Sequence, residues 1–412
     1  MIFTVVFPVY PCESHSLFMP APLLVSSPVT TPDVSLTVSS AGRSPAFPGL
    51  GLAAEAEGRA EAQLRIEAAK ARAFGKTIVA AVLESLARVL PCAPRMRACI
   101  EGWPGDLAGA GVIFRINAGL HALARSGRHA GLQHIYRAAE GGDFPEVARL
   151  DAALIDVLER NTFDLLQWMA GPTQTNEVAR VAGFVAALLE LNALAPHPCE
   201  LLELGTSAGL NLNLARYGCH FGSMISGDEH SAVQIAPRWQ GRVPPCAPLV
   251  VERAVGVDLS PLDISDNRDC ERLHAYIWAG ERDRSERLRA AIGIARDYPP
   301  QVDTGHASHW LARQMACPQR EGTRRVVMHS MVLQYMSDVE RAAVDAALVF
   351  AAAAATPSRP LARIGMEWSA DRSAVELRIT SWDGGPTSGR TVVAAQCHPY
   401  AEWFEWYGLT GT

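Results

Sequence analysis

The stretch ELLELGTSAGLN, residues 200–211, decides the fold: a short apolar run passes straight into a glycine-rich turn. In open α/β sheets the turns at the carboxyl ends of the strands are where ligands sit, so this stretch reads as a first strand and its binding loop. Downstream, further apolar runs at 248–259, 300–305 and 324–330 alternate with amphipathic stretches. That alternation predicts parallel strands joined by right-handed crossovers. Ser337 and Glu340 form a capping-box pair that starts a helix just after the fourth strand. The chain then ends in LARIGMEW, AVELRITSW and TVVAAQCH, whose alternation of apolar and polar positions predicts an antiparallel meander.

Upstream the periodicity is helical from Ala54 to about residue 196, with breaks at Pro91, Pro94, Gly127, Gly171 and Pro172. The expected organisation is a helical domain at 54–196 followed by an α/β domain at 198–412. Residues 1–52 hold eight prolines and no helical periodicity, and are expected to be a disordered tail or an unneeded upstream extension of the reading frame.

Composition narrows the function. The chain has 412 residues, 49% hydrophobic, with 37 Lys and Arg against 43 Asp and Glu for a net charge of −6. This argues against nucleic-acid binding by bulk charge. No apolar run reaches the roughly 18 residues of a bilayer span, so no membrane association is expected. Nine cysteines without a Cys-x-x-Cys pair read as reduced thiols in a cytoplasmic protein. The N-terminus lacks the basic region of a signal peptide.

Residues 203–211 admit several readings. Gly205 and Gly209 allow close backbone approach to a ligand, and Glu203 at the strand end can accept hydrogen bonds from one; the bland alternative is a tight strand-to-helix turn. A dinucleotide fingerprint requires glycine where Ser207 stands, which disfavours NAD. Gly205, Ser207 and Gly209 also spell G-x-S-x-G, the nucleophile elbow of serine hydrolases, with Asp258 or Asp303 and His329 or His398 following in the order acid, then histidine. That elbow normally follows a central strand with others upstream, whereas here it sits on the first strand.

Five stretches in order, TQTNEVAR (173–180), ELLELGTSAGLNLNLARY (200–217), GVDLSPLDISD (256–266), VVMHSMVLQYM (326–336) and HPYAEWFEW (398–406), resemble the bacterial family known as domain of unknown function 2332. That family is similar to the class I methyltransferases that bind S-adenosylmethionine. The resemblance implies a Rossmann-like methyltransferase sheet, mostly parallel with antiparallel C-terminal strands, preceded by an all-helical domain, and S-adenosylmethionine as cofactor. It implies cofactor contacts from Glu203, Gly205, Thr206, Ser207 and Gly209, with Asp258 at the ribose. His306 stands where many methyltransferases carry an acid near the adenine. Asp258 lies about 50 residues past Gly205, against roughly 20 in a dinucleotide fold, so an insertion at about 217–245 must intervene.

The remaining candidates rest on position. His329 and Ser330 end the fourth strand, where His329 could serve as a general base and Ser330 could meet the acceptor; the alternative is a hydrogen-bonded interior histidine. Gln174, Thr175, Asn176 and Glu177 precede a helix and either cap it or close the pocket. Pocket closure predicts that alanine at Asn176 or Glu177 weakens ligand binding with little change in melting temperature. Asp303, His306 and His309 lack the companions of a zinc site, so no metal is expected. The arginines of GERDRSERLRAA read as a solvated, salt-bridged face. Trp278, Trp310, Trp382, Trp403 and Trp406 read as core or pocket wall. The leading expectation is methyl transfer to a small or medium acceptor. The alternatives are a non-catalytic binding or scaffold protein on the same fold, and a serine hydrolase using Ser207.

Overall fold

The computed structural model describes residues 58–409. The tail expected at 1–52 lies outside them. Among the described residues the chain opens with α1 (Arg59–Ala73), α2 (Thr77–Val89), α3 (Pro94–Glu101), α4 (Val112–Arg125), α5 (Ala130–Glu140), α6 (Val147–Arg160) and α7 (Thr162–Ala170), which share one apolar cluster. The amphipathic pattern explains why they pack: in α2 the residues Ile78, Val79, Val82, Leu83 and Leu86 recur on one stripe and are buried. Pro94 does not simply stop a helix, as the sequence suggests; it occupies the first turn of α3, where its missing N–H costs nothing.

The helix α8 (Val181–Leu194) belongs elsewhere. It is apolar around nearly its whole circumference, and its side chains join the cluster under the sheet rather than the cluster of α1–α7. α8 therefore packs with the sheet although it precedes β1 in the chain.

The sheet strands are β1 (Cys199–Leu204), β2 (Gly218–Phe221), β3 (Met224–Gly227), β4 (Gln234–Ile235), β5 (Arg238–Gly241), β6 (Val251–Asp258), β7 (Gln301–Thr304), β8 (Arg324–Ser330), β9 (Leu361–Trp368), β10 (Val375–Trp382), β11 (Thr391–Cys397) and β12 (Trp403–Trp406). Nine of them form one mixed sheet in the order β5-β12-β11-β10-β9-β8-β1-β6-β7. From β7 to β9 every pairing is parallel, and from β9 to β12 every pairing is antiparallel. The order reverses between β1 and β8, which makes their carboxyl ends the switch point where an open sheet leaves a crevice. All the strands expected from the apolar runs are present. The insertion at 217–245 adds what patterning did not show: β2, β3 and β4 form a small separate sheet, and β5 pairs in parallel with β12 at the edge of the large one.

The remaining helices are α9 (Asn267–Ala275), α10 (Arg282–Asp297), α11 (Ala307–Ala316) and α12 (Asp338–Ala352). Ser337 Oγ accepts from Glu340 N at 3.2 Å, as the capping box requires. The single amphipathic stretch at 269–297 breaks between α9 and α10, because Trp278 and Ala279 turn away into the helical cluster and tie the two layers together. Two buried arginines that open β8 finish helices. Arg324 donates to Leu191 O (3.1 Å) and Ala195 O (2.8 Å) at the end of α8, and Arg325 donates to Gln314 O (3.2 Å) and Cys317 O (3.0 Å) at the end of α11. No single described helix is long and apolar enough to cross a membrane.

Candidate functional site

β1 is buried on both faces, and the chain leaves it through three left-handed residues in alternation: Gly205 (φ +68°), Ser207 (φ +55°) and Gly209 (φ +75°). Serine pays for that conformation in steric strain, roughly 1–2 kcal/mol, which the surroundings must hold in place. They do so through the loop amides. Gly205 N and Thr206 N donate to Val257 O (2.9 and 3.1 Å), Ser207 N to Asp258 Oδ2 (2.9 Å), Gly209 N to Thr206 O (2.8 Å), and Leu210 N to Asn176 Oδ1 (3.2 Å).

Asp258, at the end of β6, is a clamp between loops: its Oδ1 accepts from Ser260 N at 2.9 Å while Oδ2 holds Ser207. Gln174 bridges the same two loops, accepting from Ser207 Oγ at 2.5 Å and donating to Ser260 O at 2.8 Å. Residues 174–176, 205–210 and 258–260 therefore form one unit, and the segment ahead of α8 lies against the glycine loop. Glu177 faces the other way. It caps the turn Val178–Arg180 by accepting from Ala179 N (3.2 Å), and it is buried against Arg284, whose Nε and Nη2 lie 2.8 and 2.7 Å from its Oε2. Glu177 thus caps this turn and also neutralises a buried cation.

Glu203 is 2% exposed and accepts from Thr206 Oγ1 and from Asn211 Nδ2 (3.0 Å). Burial raises its carboxyl from 4.5 to about 7, with nearby Asp258 adding to the rise and the two hydrogen bonds opposing it. The folded protein thus keeps a proton that the unfolded chain releases above 4.5. The stabilisation is full below 4.5 and is lost as pH rises to about 7, a loss of about 3 kcal/mol. Glu203→Gln should flatten this slope, so that urea denaturation at pH 5 and at pH 8 shows the variant gaining on the wild type by about that amount. Parallel pH profiles for the two proteins would show that the carboxyl is not the titrating group.

His329 is hydrogen-bonded on both ring nitrogens. It is buried at the end of β8 with Nδ1 2.8 Å from Glu367 Oε1, while Arg363 Nε donates to Nε2 at 3.0 Å. A nitrogen that accepts from guanidinium carries no proton, so the ring is neutral and its one hydrogen goes to Glu367. Burial pushes its pKa down and the Arg363 charge adds to that, against the pull of Glu367. Both ring nitrogens are thus engaged, and Glu367 Oε1 also accepts from Val332 N (3.1 Å) and Leu333 N (3.4 Å), which fixes the loop after β8. Ser330 is bonded differently. Its Oγ accepts from Arg180 Nη1 at 3.4 Å, and Arg180 also donates to Pro399 O at 3.0 Å.

Among the described residues the hydrogen bonds of the serine, acid and histidine candidates go to other partners. The Ser207 hydroxyl points at the Gln174 amide, Asp303 accepts from Trp310 Nε1 (2.6 Å), His398 Nδ1 accepts from Tyr400 N (3.3 Å), and His329 is occupied. His306 opens α11 as a largely exposed side chain 3.5 Å from Glu340, its ring 6.0 Å from that of His309. Among the described residues no three His, Cys, Asp or Glu side chains converge as a metal site. Residues that the sequence reading passed over are Arg180, Asn211 and Glu367. Arg180 sits at the end of TQTNEVAR, and Glu367 is the only acid in the apolar run LARIGMEW, which is a signal in itself because an unpaired charge is not buried.

A family model described as "Uncharacterized protein conserved in bacteria (DUF2332)" matches residues 61–406. The chain belongs to this family. No curated protein and no solved structure matches it. The span shared with DUF2332 runs from the first helix through β12, so it takes in both the helical layer and the clamped loops at the switch point.

Proposed function

We propose that this chain binds S-adenosylmethionine at the carboxyl ends of β1 and β6 and transfers its methyl group to a small acceptor. The observation that carries the reading is Asp258, placed at the end of the strand beside a left-handed glycine loop at the switch point. Each Asp258 oxygen accepts one backbone amide and keeps a lone pair, so it can still accept from ribose hydroxyls. The amides of Gly205, Thr206, Ser207 and Gly209 are all engaged within the chain, which suits a phosphate-free adenosyl ligand and not a pyrophosphate. When bound, the cofactor supplies an electrophilic methyl on sulfur. The chain supplies alignment and exclusion of water, and because both ring nitrogens of His329 are engaged the favoured acceptors are those already nucleophilic, such as carboxylates.

A second reading, a binding protein without chemistry, draws on the same occupied histidine and the clamped state of Asp258. Titration calorimetry of the full chain with S-adenosylmethionine and S-adenosylhomocysteine separates the two. Binding should weaken at least about ten-fold in Asp258→Asn, the equivalent of one lost charge-assisted hydrogen bond, with the circular dichroism unchanged. Absence of heat at millimolar ligand would sink the cofactor reading.

A further inference from the structure

A cavity of about 400 Å³ opens between the α1–α2 turn, β4, the start of α10 and the loop after β11, away from the glycine loop. That volume falls in the range of small-molecule sites, roughly 300–1,000 Å³. Ala179, Ile235, Pro237 and Tyr400 give it apolar walls, and Arg284 and Arg287 line it together. The two arginines are incompletely matched. Arg284 is 6% exposed and stacks 4.3 Å over the Tyr400 ring; its Nε and Nη2 engage Glu177, while Nη1 is buried without a hydrogen-bond partner. Arg287 lies 3.8 Å from the same glutamate, and its Nε is likewise buried and unpartnered.

The wall also carries Lys76, Glu281, Arg282, Asp283 and Glu402. Lys76 holds Glu281 (2.8 Å) and Glu402 (2.9 Å), and Glu281 reaches Arg284 only at 3.5 Å. Arg284 thus has Glu177 and, at 3.5 Å from its Nη1, Glu281, whereas Arg287 has the shared Glu177 at 3.8 Å and a buried Nε without a hydrogen-bond partner, and a buried cation donor left unmatched in this way is costly. The wall also contains Ala401, one of four non-glycine residues in a left-handed conformation among the described residues (φ +56°), a kind of strain that concentrates where ligands bind.

We infer that this cavity is a binding site for a small carboxylate with an apolar body, the carboxylate completing the Arg284–Arg287 pair and the body lying against Ile235, Pro237 and Tyr400. The site does not depend on the cofactor reading, and its test contains no S-adenosylmethionine. Benzoate is titrated into the full chain, with benzamide as the uncharged counterpart and inorganic phosphate as the anion without an apolar body. Benzoate should bind at least about ten-fold more tightly than either, and Arg287→Gln should lower its affinity about ten-fold. Arg287 is the residue to change because Glu177 then keeps Arg284, and an unchanged melting temperature without ligand confirms an intact fold. Equal binding of benzamide or phosphate, an unchanged affinity in Arg287→Gln, or no saturable binding at about 10 mM benzoate would overturn the site.

Discussion

Replacing Glu177 by alanine should cost about 3–5 kcal/mol of stability, the usual price of stripping the counter-charge from a buried cation. The carboxylate is 5% exposed and faces Arg284, whose side chain is equally buried, with Arg287 at 3.8 Å. Burial alone would raise the Glu177 carboxyl, yet the charges of Arg284, Arg287 and Arg180 outweigh it and hold the group below 4.5. Alanine leaves these guanidiniums facing one another and also removes the acceptor that caps Val178–Arg180. Glu177→Gln keeps the cap but not the charge, so it should recover only the smaller part, about 1 kcal/mol. Urea denaturation of the three proteins measures this directly. An alanine variant as stable as the wild type, with ligand binding alone impaired, would restore the pocket-closing role that the sequence suggests for Glu177. Asn176 is a different case, because its Oδ1 receives the Leu210 amide and ties the same segment to the glycine loop.

How much of this is legible in the sequence follows from the range of the interactions. The parallel strands are readable because a strand covered on both faces is a nearly continuous apolar run, as in Val326, Val327 and Met328, or in Leu201, Leu202 and Leu204 around the buried Glu203. The glycine loop is readable because left-handed backbone has a local residue signature. β5 is not, since its sequence RWQG, exposed at three of four positions, follows no alternation and is a strand only because β12 arrives beside it. The arginines of α10 look like a solvated face for a related reason: Arg284 is paired with a residue 107 positions earlier, and helical spacing says nothing about that neighbour. The partners of His329 are hidden on the same ground, because Arg363 and Glu367, both on β9, meet it through the β8–β9 pairing.

Alanine at Gly205 is the second large effect, and it decides what the glycine loop is for. At φ +68° any side chain carries about 1–2 kcal/mol of strain. A Cβ there would also stand 2.3 Å from Val332 Cγ2 and 2.9 Å from Val332 Cβ, and overpacking of this kind costs about 1–3 kcal/mol more. Val332 cannot easily retreat, because its amide is held by Glu367 and it follows Met331, itself at φ +56°. The expected total is about 2–5 kcal/mol, read as a lowered urea midpoint. Adding Val332→Ala should return the steric share but not the conformational one, giving a coupling of about 1–3 kcal/mol in a double-mutant cycle. Gly293→Ala provides the contrast. It lies in the exposed interior of α10 with ordinary φ and nothing within 4 Å, so it should gain up to about 1 kcal/mol. If Gly205→Ala instead left stability intact and abolished ligand binding, the glycine would serve close approach of a ligand; if stability falls as expected, it serves the meeting of the β1 and β8 loops.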